Sequence, residues 1–385
     1  MTMLNSCTER LEDILADAER LMACESPSDD LEAVARSADV VADVVGKRLS
    51  AVGLPAEAER LVIDGCNHLR WRFGGGGRVV ILTHHDTVWP IGTLATIPIG
   101  RKDGVLTGPG CFDMKVGLAQ AVHAIAALAQ AEGVGAVDGV TLLVTGDEEI
   151  GSPTSRRLIE DEARRSKAVL VLEAAGPDGS LKTARKGASV YGVEVIGRAA
   201  HAGLEPERGI NAVVEIAAQI PIIASLADQA HGTTVTPTRL HAETTVNTVP
   251  AHARLDVDVR ATSANEQRRV DHAMRTLEPT VSGSRIDILG GITRPVMERT
   301  SSAHLFARAT ALSADAGIHA LYAVAVGGAS DGNLTAGIGV PTLDGLGAVG
   351  GGAHATDEHV VIEHIPHRTA LVALLIKDSL AGGGR

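Results

Sequence analysis

VVILTHHDTVW, residues 79–89, decides how this chain is read. A continuous apolar run, Val79 to Leu82 followed by Thr83, leads directly into His84, His85 and Asp86. Strands buried on both faces carry such unbroken β-branched runs, which is the pattern of a largely parallel sheet covered by helices. Residues two apart on a strand share a face, so His84 and Asp86 leave it on one side and His85 on the other. The pattern recurs in VTLLVTGDEEIGS (140–152), which ends on Asp147, Glu148 and Glu149, and in AVLVLEAAG (168–176), which ends on Glu173. Helix-like segments, Val116 to Ala131 and Ser155 to Arg165, alternate with these strands and give an α/β layout. Open α/β sheets bind ligands outside the carboxyl ends of their strands, so motifs distant in sequence are expected along one edge.

From about Gly187 the texture changes. ASVYGVEVIG alternates, and so does HARLDVDVR, where Leu255, Val257 and Val259 face one way and Asp256, Asp258 and Arg260 the other. With helix-like stretches at 209–227 and 265–277 and a further strand in SRIDIL, this is expected to be an inserted α+β domain with an antiparallel sheet. The chain then returns to α/β texture, with helices over 302–316 and 367–380. The expected division is 1–186 and 298–385 for the α/β domain and 187–297 for the inserted one. The GGGR terminus reads as a loose tail.

Composition narrows the partners. The 385 residues exceed one ordinary core, consistent with two domains. Aromatics are 2% of the chain, so Ala, Val, Leu and Ile must fill the core, and 43 glycines imply many tight turns. Net charge is −12, which argues against nucleic acid or an anionic membrane as the main partner. Leu11, Ile14, Ala18 and Leu21 follow helical spacing and predict an amphipathic first helix in place of a secretory signal. The richest apolar stretch, 116–131, carries Gln120, His123 and Gln130 and is too short to span a bilayer. Four cysteines without CxxC spacing read as reduced thiols, and the expected location is the cytoplasm.

The polar residues at the strand ends carry the chemistry. Carboxylate oxygen and imidazole nitrogen hold divalent cations, and two ions ~3.5–4 Å apart can share a bridging hydroxide. Five residues among His84, Asp86, Asp113 in GPGCFDMKVG (108–117), the pair Glu148–Glu149, Glu173 and His354 in GGGAHATDE (350–358) supply the ligand count for such a pair. Asp86 is placed to take the free ring N–H of His84 and fix its tautomer. The spacing in GPGCFDMKVG matches no phosphate loop, and its turn would place Asp113, whose two oxygens can bridge two cations. Adjacent acids are usually a solvated pair, but Glu148 and Glu149 follow a buried strand. One would bind metal and the other would move protons. Glu173 also ends an apolar strand, where an unpaired carboxylate is costly and coordination relieves the cost. His354 alone is uninformative.

The order and context of these motifs resemble the M20 family of metallopeptidases and amidohydrolases, most closely its glutamate carboxypeptidase branch, from about Thr83 to the closing helix. The resemblance implies a dinuclear hydrolase of amide C–N bonds, with zinc, or alternatively manganese or cobalt, on His84, Asp113, Glu149, Glu173 and His354. It implies that Asp86 orients His84, that Asp113 bridges and that Glu148 is the general acid/base. The α/β domain then corresponds to the family's catalytic domain. The insertion, 187–297, resembles its lid or dimerisation domain, where GRAAHAG matches the family segment whose histidine reaches the partner subunit's site, here His201, which implies a homodimer. VNTVP and DVDVR match segments that hold a substrate carboxylate, here Asn247 and Arg260. Turn capping and pairing with Asp258 are their plainer readings, and Arg294 is a weaker candidate for the substrate rim. Lys115 and Arg185 read as structural. An aminoacylase, deacetylase, dipeptidase or aryl-amine hydrolase would share the motifs. A non-catalytic binding protein with this fold would not need Glu148.

Overall fold

The computed structural model describes residues 2–74 and 77–382, so residues 383–385 of the GGGR terminus lie outside the described residues. Two compact units emerge. One comprises Met1–Ala184, Arg299–Val326 and Ser330–Arg385, and the other Arg185–Glu298 with Gly327–Ala329.

The first unit is built on a six-stranded sheet. Val79–His84 lies at its middle and pairs in parallel with Val140–Thr145 on one side and Ala168–Val171 on the other. Thr342–Leu343 extends the parallel set. Beyond Val140–Thr145 the sheet turns antiparallel through Cys66–Arg72 and Glu59–Ile63. Alternate side chains of the parallel strands feed two cores: Val79, Ile81, Leu142, Val144 and Leu170 on one face, Val80, Leu82, Leu143, Val169 and Val171 on the other. Each such aliphatic side chain contributes about 1.5–3 kcal/mol by leaving water, and covering both faces is what allows the strands to be apolar throughout.

The helix Val116–Glu132 is buried on nearly all sides, as expected of a core helix that is apolar all round. With the preceding turn it makes a helical run, Cys111–Glu132, of 22 residues with the length and hydropathy of a membrane span. This corrects the expectation that no run reaches that length. Its apolar window is 94% buried inside the unit, so the run serves as core. The amphipathic helix expected through Leu11, Ile14, Ala18 and Leu21 is Leu11–Met22; a short helix, Met3–Glu9, precedes it across a break at Arg10, and Leu31–Ser50 follows. A second, four-stranded antiparallel sheet joins Gly100–Lys102, Val105–Thr107, His359–Val361 and Gly350–Gly351.

The second unit is a four-stranded antiparallel sheet in the order Thr234–His241, His252–Ala261, Gly187–Ile196, Arg285–Arg294. Leu255, Val257 and Val259 are buried with Tyr191, Val193 and Val195, and the helices Ala212–Ala224 and Ala264–Arg275 supply Ile216, Val270 and Met274 to the same core. The opposite face carries a charge ladder in which Arg254 bonds both Asp256 and Glu194. Asn211 and Ser263 cap the two helices with their side chains.

Candidate metal centre

Parallel strands deliver the predicted residues to one edge. His84 is the last residue of its strand, Glu148–Ile150 forms a single 3₁₀ turn three residues past Thr145, and Glu173 lies two residues past Val171. Asp113 comes from the turn before the core helix, where the Asp113–Met114 peptide is cis. His354 comes from the loop between Gly350–Gly351 and His359–Val361, with φ +62°. That left-handed region is one histidine enters more readily than most side chains.

These residues form two groups that share one carboxylate. In the first, His84 Nε2 lies 3.4 Å from Asp113 Oδ1 and 3.4 Å from Glu173 Oε1. In the second, His354 Nε2 lies 3.4 Å from Asp113 Oδ2 and 3.2 Å from Glu149 Oε2. Asp113 thus turns one oxygen to each group. Two donors bound ~2.1 Å from a tetrahedral ion stand ~3.4 Å apart, which is the spacing observed. His84 Nε2 and Glu149 Oε1 are buried without a hydrogen bond, a costly state that coordination would relieve. The donor set, two imidazoles and three carboxylates, suits zinc, manganese or cobalt. The residues present fit a pair of divalent ions.

The electrostatics point the same way. Burial opposes protonation of His84, yet Asp113, Asp86 and Glu173 raise its pKa well above the imidazole range. Asp113 and Glu149 push His354 up to about 10. Burial lifts Glu149 to about 7, while Asp113, despite its own burial, is held well below the usual carboxylate range by the two histidines. A cation at this site would neutralise the same buried set of acids.

Asp86 stands beside His84 and has further partners. The ring Nδ1 of His84 bonds the backbone carbonyl of Asp86 at 3.0 Å, and the Asp86 carboxylate stands 3.3 Å away. The carboxylate is fully buried and accepts from Ser28 Oγ at 2.6 Å and from the backbone N–H of Glu149 at 3.1 Å. It therefore ties the turn bearing Glu149 to the loop bearing His84. His85 points away, with its ring between Ser37 and the carbonyl of Asn67. Lys115 is buried and donates to the His85 carbonyl and Ser26. Glu358 escaped the sequence reading: it is a buried carboxylate that accepts from the backbone of Gly110, Phe112 and Asp113. Only its place four residues after His354 marked it.

In the second unit, His201 is exposed and accepts a hydrogen bond at Nδ1 from the Gly203 N–H. It sits beside Asn247, whose carbonyl accepts from the Ala202 N–H at 2.8 Å. Arg260 and Arg294 flank Ala188 in register on neighbouring strands. Arg260 makes a two-pronged bond to Asp258, and Arg294 is buried.

Comparison with known proteins gives the family and the fold. The chain matches peptidase family M20/M25/M40 over residues 80–378. It is 30% identical to carboxypeptidase G2 of Pseudomonas sp. (strain RS-16) over 99% of this chain and 92% of that protein. It is 25% identical to succinyl-diaminopimelate desuccinylase of Roseobacter denitrificans over 81% of this chain and 86% of that protein. Its fold is shared with the crystal structure of an M20 family metallo-carboxypeptidase from Sulfolobus solfataricus, with a TM-score of 0.68 at 17% identity over 94% of this chain and 98% of that one. The chain is a metal-dependent hydrolase belonging to peptidase family M20/M25/M40.

Proposed function

We propose that this enzyme cleaves the amide C–N bond of a small substrate with a free carboxylate, such as a C-terminal acidic residue or an N-acyl amino acid, in the manner of a glutamate carboxypeptidase. The observation that carries the reading is Asp113 dividing its two oxygens between the His84–Glu173 and His354–Glu149 groups. His84, Asp113, Glu149, Glu173 and His354 would hold two divalent ions, zinc in this reading, which would supply Lewis acidity and lower the pKa of water at the site toward neutrality. Glu148, half-buried on the turn beside Glu149, takes a proton from the attacking water and returns it to the leaving nitrogen. Asp86 keeps His84 and the Glu149 turn in place while this happens. His201 of a partner subunit steadies the carbonyl oxygen as it gains charge. Asn247 and Arg260, with Arg294 nearby, hold the substrate carboxylate, a task for which a guanidinium fork is suited.

A homodimer formed through the inserted domain is part of the reading. The helix Ala212–Ala224 leaves Val214 and Ile222 exposed, side chains that such an interface would cover. The four unpaired cysteines fit a reducing compartment such as the cytoplasm.

Glu148→Gln tests the mechanism. The variant should retain both metal equivalents and lose activity by ~10²–10⁴-fold; full activity would remove Glu148 from its role. A panel of N-acyl glutamates, N-succinyl amines, dipeptides and aryl amides without a carboxylate, assayed with zinc, manganese or cobalt, tests the substrate class. Hydrolysis confined to amides without a free carboxylate would overturn it.

A further inference from the structure

Glu358 is a carboxylate that touches two ligand-bearing loops while standing four residues from the histidine of a third. Its Oε1 accepts from the backbone N–H groups of Phe112 at 2.9 Å and Asp113 at 3.0 Å. Its Oε2 accepts from the Gly110 N–H at 2.8 Å and from Trp89 Nε1 at 2.9 Å. Trp89 lies in the loop that leaves His84 and Asp86, and Gly110 to Asp113 form the turn that carries the shared carboxylate. Glu358 itself belongs to the loop that begins with His354, and its own N–H bonds the carbonyl of Ala355 at 3.0 Å. The side chain is 2% exposed, so water does not compete for these four bonds. A buried carboxylate without such donors would be strongly disfavoured, and bonds to a charged acceptor are the stronger kind.

We infer that Glu358 is a positioning residue that locks the His84, Asp113 and His354 loops into the spacing the metal pair requires. The inference rests on the dinuclear reading above. Glu358 is not among the residues that group around a candidate ion; it acts through Asp113, whose backbone it holds. Both of its oxygens serve as double acceptors. An amide in its place would turn an NH₂ group toward two N–H donors and break one pair of bonds, while keeping the side-chain volume.

The test is metal titration of the metal-free full chain with zinc against a chromophoric chelator, on wild type, Glu358→Gln and Glu358→Asp. Wild type should bind two equivalents. Glu358→Gln, with an unchanged circular dichroism spectrum, should bind them ~10–100-fold more weakly, the usual loss for a partner that orients ligands. Glu358→Asp should recover part of that loss, since it keeps the charge and shortens the reach. With saturating metal, kcat should fall while KM stays near wild type, because Glu358 touches no substrate in this reading. Unchanged affinity in Glu358→Gln would overturn the inference. If that variant does not fold, unchanged affinity in Glu358→Asp would do the same. Failure of the wild type to bind a second equivalent would instead count against the dinuclear site itself.

Discussion

A buried polar side chain must find partners, in other side chains or in the backbone. His84, Glu149 and Glu173 announce themselves because apolar strands end on polar groups that cannot be buried alone, and the structure brings them together with Asp113 and His354. Glu358 leaves no such trace, since three of its four donors are backbone N–H groups that any sequence possesses. The carboxylate of Asp86 was read toward His84, yet it is also spent on Ser28 and the Glu149 N–H, contacts made across 58 and 63 residues of chain. Gly117 is another position whose role only the packing reveals. A Cβ there would stand 2.2 Å from the carbonyl oxygen of Leu172, next to Glu173. Backbone cannot yield as a flexible side chain can, so Gly117→Ala must push the core helix, and Asp113 before it, away from Glu173. The expected outcome is a loss of about 1–3 kcal/mol together with weaker metal binding. Thermal unfolding and chelator competition check the two halves; a variant as stable and as tightly metallated as wild type would show that the close approach does not matter.

Elements were legible where they are long and periodic. The three parallel strands and the alternating strand His252–Ala261 lie where the hydrophobic pattern places them. The strand Cys66–Arg72 was missed because its buried positions include Asn67, His68 and Arg70, polar residues made tolerable by hydrogen bonds and ion pairs invisible in sequence. Strands of two or three residues, such as Gly350–Gly351, are too short to show a period at all. The three N-terminal and core helices are joined by another polar device. Asp17 on Leu11–Met22 accepts from Arg48 of Leu31–Ser50 at 2.6 Å and pairs with His123 of Val116–Glu132 at 2.8 Å. Burial would raise the Asp17 pKa, but His123 and Arg48 outweigh it and lower it below the ordinary 3.8. Its stabilisation is therefore fully present above pH 3.8 and lost as pH falls through the depressed folded value. Asp17→Asn leaves Arg48 with its side chain 13% exposed and short of its main counter-charge, at a cost of about 3–5 kcal/mol. Urea unfolding should show that gap at full size at pH 7 and narrowed at pH 3. A gap independent of pH would mean that the pair does not carry it.

At the scale of the whole molecule, the metal centre lies in the first unit, while the residues proposed to hold the substrate lie in the second. The second unit places His201 next to Asn247 and sets Arg260 and Arg294 in one row, yet it carries none of the candidate metal ligands. In a two-fold dimer each site would take its metal ligands from one chain and His201 from the other. That arrangement makes a quantitative prediction. His201→Ala and Glu148→Gln should each abolish activity in the pure dimer. In a heterodimer of the two, one site inherits intact Glu148 from the first subunit and intact His201 from the second, while the other site has neither. A statistical mixture contains half heterodimers with one working site in each, so recovered activity should approach about one quarter of wild type. If His201 serves its own chain, both sites of every dimer stay defective and no activity returns. Purifying the mixed species through two different affinity tags before the assay separates these outcomes, because a true heterodimer that stays inactive would place His201 in its own subunit's site or outside catalysis altogether.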